Sequence, residues 1–118
     1  MNNIILEKTR IFAEKILNVY FFLREERHYK LSEQLVSAGT SIGANVVEGQ
    51  AAQSRNDFIS KFSIASKEAR ETAYWLNLCN RKELLQDHPD FGFLLSEIKE
   101  IIKILDSIII TSKQNRKA

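Results

Sequence analysis

With 118 residues, 44% of them hydrophobic and 27% charged, the chain is long enough to bury one core and too apolar to be disordered. One Pro and four Gly are too few for an all-β fold with its many turns, and a formal net charge of +2 does not by itself select a nucleic-acid partner. The lone Cys79 excludes an intrachain disulfide, and the chain has neither a signal-peptide pattern nor an apolar run near the roughly 20 residues of a membrane span, so a cytoplasmic protein without membrane contact is expected.

The first predicted helix covers 3–26. Its seam is Ile5, Phe12, Ile16, Val19 and Leu23, recurring at helical spacings, and it gives way to a loop at His28-Tyr29-Lys30. The second covers 32–51, with Ser32 as the expected N-cap and Leu31 and Val36 as a hydrophobic staple. This helix is unusual. From Leu31 to Gln53 it holds two carboxylates and no Lys or Arg, and its Gly39, Gly43 and Gly49 each cost about 1 kcal/mol of helix propensity relative to Ala. Such a helix is expected to recover that cost by close approach to its neighbours. Asn45 and Glu48 stand three residues apart and therefore on adjoining parts of one face. They are expected to form a buried polar lock that fixes the register of the bundle. The alternative, a ligand or ion site at the bundle centre, is disfavoured because Glu48 has no nearby His or second carboxylate of ligand type.

The third helix is predicted over 55–81, opened by the capping pattern Ser54-Arg55-Asn56-Asp57. Phe58, Phe62, Ala65, Ala69, Thr72, Leu76 and Cys79 follow as an unbroken seam. The fourth is predicted over 89–112, after Asp87-His88-Pro89-Asp90, with Leu94, Ile98, Ile101, Leu105 and Ile108 as its seam and Leu95, Ile102 and Ile109 beside it. A basic tail, 113–118, is expected to fray. Short loops between long amphipathic helices predict an all-α fold: one domain over 1–118, an antiparallel up-down-up-down four-helix bundle.

Two of these helices carry more apolar surface than one seam requires. Ile64, Trp75 and Leu78 project roughly opposite the seam of the third helix, and Leu17 and Phe21 fall away from that of the first. Their exposure would make an interaction patch, so a homo-oligomer joined through these outer faces is expected; cover by loops or chain ends is the alternative. Charge is also uneven. Residues 54–82 carry six basic and three acidic groups, whereas 83–112 carry two basic and six acidic. Lys8 and Lys15 lie one heptad apart on the first helix, and Lys113, Arg116 and Lys117 close the chain. Clustered cations suit phosphates, whose neutralisation releases counterions. The candidate nucleic-acid contacts are therefore Lys8, Lys15, Lys67, Arg70, Arg81, Lys113, Arg116 and Lys117.

Catalysis has little to work with. Glu25-Glu26-Arg27-His28 is a single E-x-x-H, and a di-iron bundle needs a second copy plus two more inward carboxylates. Cys79 and His88 would make a nucleophile pair only if the thiol left the core seam. No enzyme activity, metal or cofactor is expected.

One family resemblance stands out. Gln34-Leu35, the run Ser41-Ile42-Gly43-Ala44-Asn45 leading to Glu48-Gly49, Phe58 to Ala65, Lys67 to Thr72 and Tyr74-Trp75-Leu76 resemble the bacterial four-helix-bundle family of 23S rRNA intervening-sequence proteins. The resemblance spans essentially the whole chain. It implies an antiparallel bundle assembling into a barrel-like homopentamer. It also implies kinship with the accessory proteins of diversity-generating retroelements, in which a basic pentamer binds nucleic acid and a reverse transcriptase. Residues and resemblance together lead to a non-enzymatic oligomer that binds RNA or DNA through phosphate contacts. The rival reading is a protein-interaction scaffold or accessory subunit with no direct nucleic-acid role.

Overall fold

A computed structural model describes residues 3–117, with side chains from 4 to 115. Four helices make up the fold: α1 (Asn3–Glu25), α2 (Tyr29–Gln50), α3 (Arg55–Leu78) and α4 (Phe91–Lys117). Each packs against its neighbours in chain order, and α4 returns to α1, while the diagonal pairs stay apart. Because the first two connections are only three and four residues long, successive helices run antiparallel. The predicted up-down-up-down bundle is therefore the observed one.

Its core follows the seams read from the sequence, except that Phe58 at the start of α3 is only half-buried and its neighbour Ile59 is buried instead. Ile5, Phe12, Ile16, Val19 and Leu23 are fully buried, as are Phe62, Ala65, Ala69, Thr72 and Leu76 on α3 and Leu94, Ile101 and Leu105 on α4. At the end of α4 the seam shifts by one position: Ile109 is buried, whereas Ile108 is half-buried against the core. Two glycines of α2 mark where side chains of neighbouring helices press against its backbone. A Cβ on Gly39 would stand 2.9 Å from the Ile16 side chain of α1, and one on Gly49 would stand 2.6 Å from the Phe62 ring of α3. Separations that short leave no room for a methyl group.

Helix boundaries depart from expectation at three places, each for a local reason. The α1–α2 connection is tighter than predicted. His28 N–H donates to Leu23 O at 2.8 Å and Arg27 N–H to Arg24 O at 2.9 Å, the paired bonds of a Schellman turn. Arg27 occupies its left-handed position at φ 67°. The turn lets α2 begin at Tyr29, with His28 as an N-cap lacking a side-chain hydrogen bond. Ser32 is thus a buried first-turn residue whose hydroxyl donates to Tyr29 O at 2.8 Å, and not the cap. A non-glycine residue in the left-handed region costs about 1–2 kcal/mol. Arg27→Gly should therefore stabilise the fold by about 0.5–1 kcal/mol once the entropy of the added glycine is deducted. Urea unfolding at fixed protein concentration measures that gain, and an equal or lower midpoint would contradict it.

By contrast, Ser54 caps α3 as predicted, its Oγ accepting from Asp57 N–H at 3.0 Å. α3 stops at Leu78, because the next twelve residues form a turn-rich plug over the bundle end. There the Cys79 carbonyl accepts from Arg81 and Leu85 N–H, and the Leu85 side chain is fully buried. α4 opens at Phe91 and continues to Lys117, through most of the stretch expected to fray.

Candidate nucleic-acid interface

The polar pair of α2 is not a buried lock. The buried positions beside it are Val46 and Gly49, and Glu48, one residue before Gly49 and so about 100° away around the helix, is carried to solvent. The Glu48 side chain is 59% exposed and meets Lys61 Nζ at 3.2 Å. Asn45 is half-buried and donates to the Ser41 carbonyl of its own helix at 2.9 Å. An exposed pair of this kind contributes no more than about 1 kcal/mol, well short of what a buried ion pair would contribute.

The outer apolar stripe is present in part. Leu17, Phe21, Ile64 and Leu78 are exposed, Phe21 at 60%. Trp75 is not fully outside: it packs half-buried against the core, and its indole N–H donates to Glu71 Oε2 at 3.2 Å.

Among the predicted cations, the structure separates engaged from free ones. Lys8 Nζ lies 3.1 Å from the Glu97 carboxylate, with both side chains mostly buried, and Lys15 Nζ lies 3.5 Å from Asp90. The first ties α1 to α4, and the second ties α1 to the residue just before α4. Asn18 Nδ2 also donates to Asp90 at 2.9 Å, and this hydrogen bond, with Lys15 nearby, holds the Asp90 carboxyl below its ordinary pKa. Arg81 pairs with Glu83 at 3.0 Å. Lys67 and Lys113 are exposed and make no salt bridge among the described residues. The side chains of Arg116 and Lys117 lie outside the described residues.

Arg70 leads to the site. Its guanidinium grips Asp106 of α4 with both nitrogens, at 2.6 and 3.3 Å, while the buried Ser66 hydroxyl donates to Asp106 Oδ1 at 2.7 Å. The short Ser66–Asp106 bond fixes the register of α3 against α4. On α4, Lys99, Lys103 and Lys113 stand seven and three residues before and seven after Asp106, and therefore on its stripe. All three are exposed and unpaired among the described residues. On α3, Lys67 and Tyr74 flank Arg70 at helical spacing. The α3–α4 face thus gathers Lys67, Arg70, Lys99, Lys103 and Lys113, with Asp106 inside the group and Glu71 and Glu100 at its margins. It keeps an excess of positive charge, and it runs about 21 Å along α4 from Lys99 to Lys113 at 1.5 Å per residue.

Lys99 and Lys103 are hidden in the sequence because the segment that holds them is acidic in sum. Residues 83–112 are acidic in total, but Glu97, Asp90, Glu83 and Asp106 are each consumed by a cation, and the two lysines are left over. The usable signal was their seven- and three-residue spacing from Asp106.

The hydrogen bond from Arg70 holds the Asp106 carboxyl below its ordinary pKa, with the Ser66 bond acting in the same direction. A depressed folded pKa contributes stability that is fully present above the unfolded value of about 3.9 and is lost as pH falls through the folded one. Because both side chains are more than a third exposed, that contribution is under about 1 kcal/mol. Asp106→Asn should therefore flatten the acid limb of a melting-temperature profile below about pH 4 and leave a small deficit at neutral pH. A limb as steep as that of the parent protein would contradict the assignment.

Chemistry of other kinds finds no assembled site among the described residues. Burial pushes the Cys79 thiol up to about 11, which keeps it protonated. The His88 ring accepts from Asp90 N–H at 3.1 Å. Glu25 and His28 fall on either side of the α1–α2 turn. Among the described residues, no group of three His, Cys, Asp or Glu side chains is arranged to hold a metal, and no helix is long and apolar enough to cross a membrane.

Fold and site together define an antiparallel four-helix bundle with an exposed basic stripe between its last two helices. The chain belongs to the 23S rRNA-intervening sequence protein family, whose model matches residues 1–107. A crystal structure of a protein of unknown function from the S23 ribosomal protein family of Bacteroides thetaiotaomicron VPI-5482 is similar to it. The two share 44% identity over 89% of this chain and 97% of that one, with a TM-score of 0.82. No protein of curated function matches.

Proposed function

We propose that this protein is a non-enzymatic, self-associating bundle that binds RNA or DNA through phosphate contacts on the α3–α4 face, without base specificity. The observation that carries this reading is the stripe of Lys67, Lys99, Lys103 and Lys113, cations that no carboxylate neutralises among the described residues. Self-association is supported by the exposed Leu17, Phe21, Ile64 and Leu78, and the family resemblance favours a pentamer. A ring would repeat the stripe and strengthen the field felt by a polyanion.

Titration of labelled single-stranded RNA and duplex DNA at about 50 and about 200 mM salt tests the reading. The expected result is binding at low salt that weakens steeply at high salt. No binding at low salt, or affinity indifferent to salt, would overturn it.

One observation favours a protein partner as a second reading. The α1–α2 groove is lined by Leu6, Ala13, Thr40, Gly43, Ala44 and Val47, with one charged lining residue, Arg10, held between Glu7 and Glu14. A scaffold or accessory subunit, for instance one that docks a reverse transcriptase, would use that side. Capture of the same partner from the native host before and after nuclease treatment separates the two readings. Retention after nuclease supports the scaffold.

A further inference from the structure

Tyr74 is the aromatic side chain on a face of charged groups, five cations with Asp106 among them and Glu71 and Glu100 at the margins. Its ring is 58% exposed, and its hydroxyl makes no hydrogen bond among the described residues. It stands one turn beyond Arg70 on α3. The antiparallel register set by Ser66 and Asp106 brings it level with Lys99 of α4, since each lies seven or eight residues from that bond. The ring is also braced. It meets Trp75 edge-on at 5.1 Å between centroids, and Trp75 is itself anchored in the core margin by its bond to Glu71.

From this juxtaposition we infer that the α3–α4 face selects single-stranded over duplex nucleic acid, with Tyr74 as a platform on which an unpaired base stacks while Lys67 and Lys99 hold the flanking phosphates. The inference rests on the phosphate-binding reading and adds the class of strand to it. Bases of a duplex are already stacked inside the helix and offer the ring nothing. Those of a single strand present free faces, and stacking on an aromatic side chain tolerates any base. Braced by Trp75, Tyr74 loses less freedom on stacking than an unsupported side chain would.

The test is fluorescence anisotropy with a labelled oligo-deoxythymidine and a labelled loop-free, blunt-ended duplex, on the parent protein, Tyr74→Ala and Tyr74→Phe, with sedimentation of each variant. The parent should bind the single strand roughly ten-fold more tightly than the duplex, which is the scale of one stacked base. Tyr74→Ala should erase that preference while keeping duplex affinity, salt slope and assembled mass, and Tyr74→Phe should retain it. Equal affinity of the parent for the two probes would overturn the inference and leave the phosphate reading standing. So would a preference that survives in Tyr74→Ala, or a Tyr74→Ala assembly of altered mass that weakens on both probes alike, which makes Tyr74 a subunit contact. If the parent binds neither probe at low salt, the phosphate reading fails and this inference with it.

Discussion

Phe62→Ala is expected to cost about 3–5 kcal/mol and to reverse the effect of a second substitution, Gly49→Ala. Phe62 is fully buried, stacks on Phe58 at 4.2 Å and fills the space that a side chain on α2 would otherwise claim. In the parent protein a Cβ on Gly49 stands 2.6 Å from the Phe62 ring. Gly49→Ala should therefore cost about 1–3 kcal/mol through overpacking, less the roughly 1 kcal/mol that Ala recovers in helix propensity. With the ring gone, the nearest remaining atom is Lys61 Cβ at 3.3 Å, so the same substitution becomes neutral or stabilising. Urea unfolding of the four proteins at one concentration measures the coupling, since association would otherwise shift the midpoints. A Gly49→Ala cost that is the same in both backgrounds would show that the α2–α3 approach is not set by this contact.

The largest functional effect is expected from Lys67→Glu, Lys99→Glu and Lys103→Glu combined. These residues are exposed and make no salt bridge among the described residues, so reversing their charge breaks no pair that holds the bundle. Each phosphate contact contributes close to one unit of the salt slope; three lost contacts should reduce the slope by about two to three and affinity at low salt on the order of 100-fold. Thermal unfolding should change little. Salt titrations of parent and triple variant on one labelled RNA measure both quantities. An unchanged slope would remove the α3–α4 face from the binding site.

How far the sequence discloses all this depends on the length over which each signal is written. The seams of α1, α3 and α4 are periodic over about four turns or more, and periodic burial is a property of one helix, so Phe12, Phe62 and Leu94 are legible as core. The Ser54 cap is legible too, because capping is settled within four residues. Glu48 was misread for the opposite reason. A run of small residues looks like a buried helix on all sides, yet only the positions facing α1 and α3 approach a neighbour, and Glu48 lies beyond them. Ser32 was misread because a Schellman turn with Arg27 in the left-handed region has no glycine to announce it. The basic stripe was only half legible. Lys67 and Arg70 declare themselves on a basic helix, but Lys99 and Lys103 are revealed once Glu97, Asp90 and Asp106 are matched with their partners across helices. Trp75 lies between the two cases, since its angle points outward and its size lets it reach back to the core.

Central to this account is that location, and not total charge, decides which cations meet phosphate. Lys99→Gln with Lys103→Gln and Lys8→Gln with Lys15→Gln each remove two positive charges, one pair from the open stripe and the other from the ion pairs with Glu97 and Asp90. Titration of one single-stranded RNA against both variants across salt is the direct comparison. The account predicts that the stripe variant loses affinity and about one to two units of salt slope, while the other keeps the parent slope. Equal losses in the two variants, or a loss confined to Lys8 and Lys15, would contradict it.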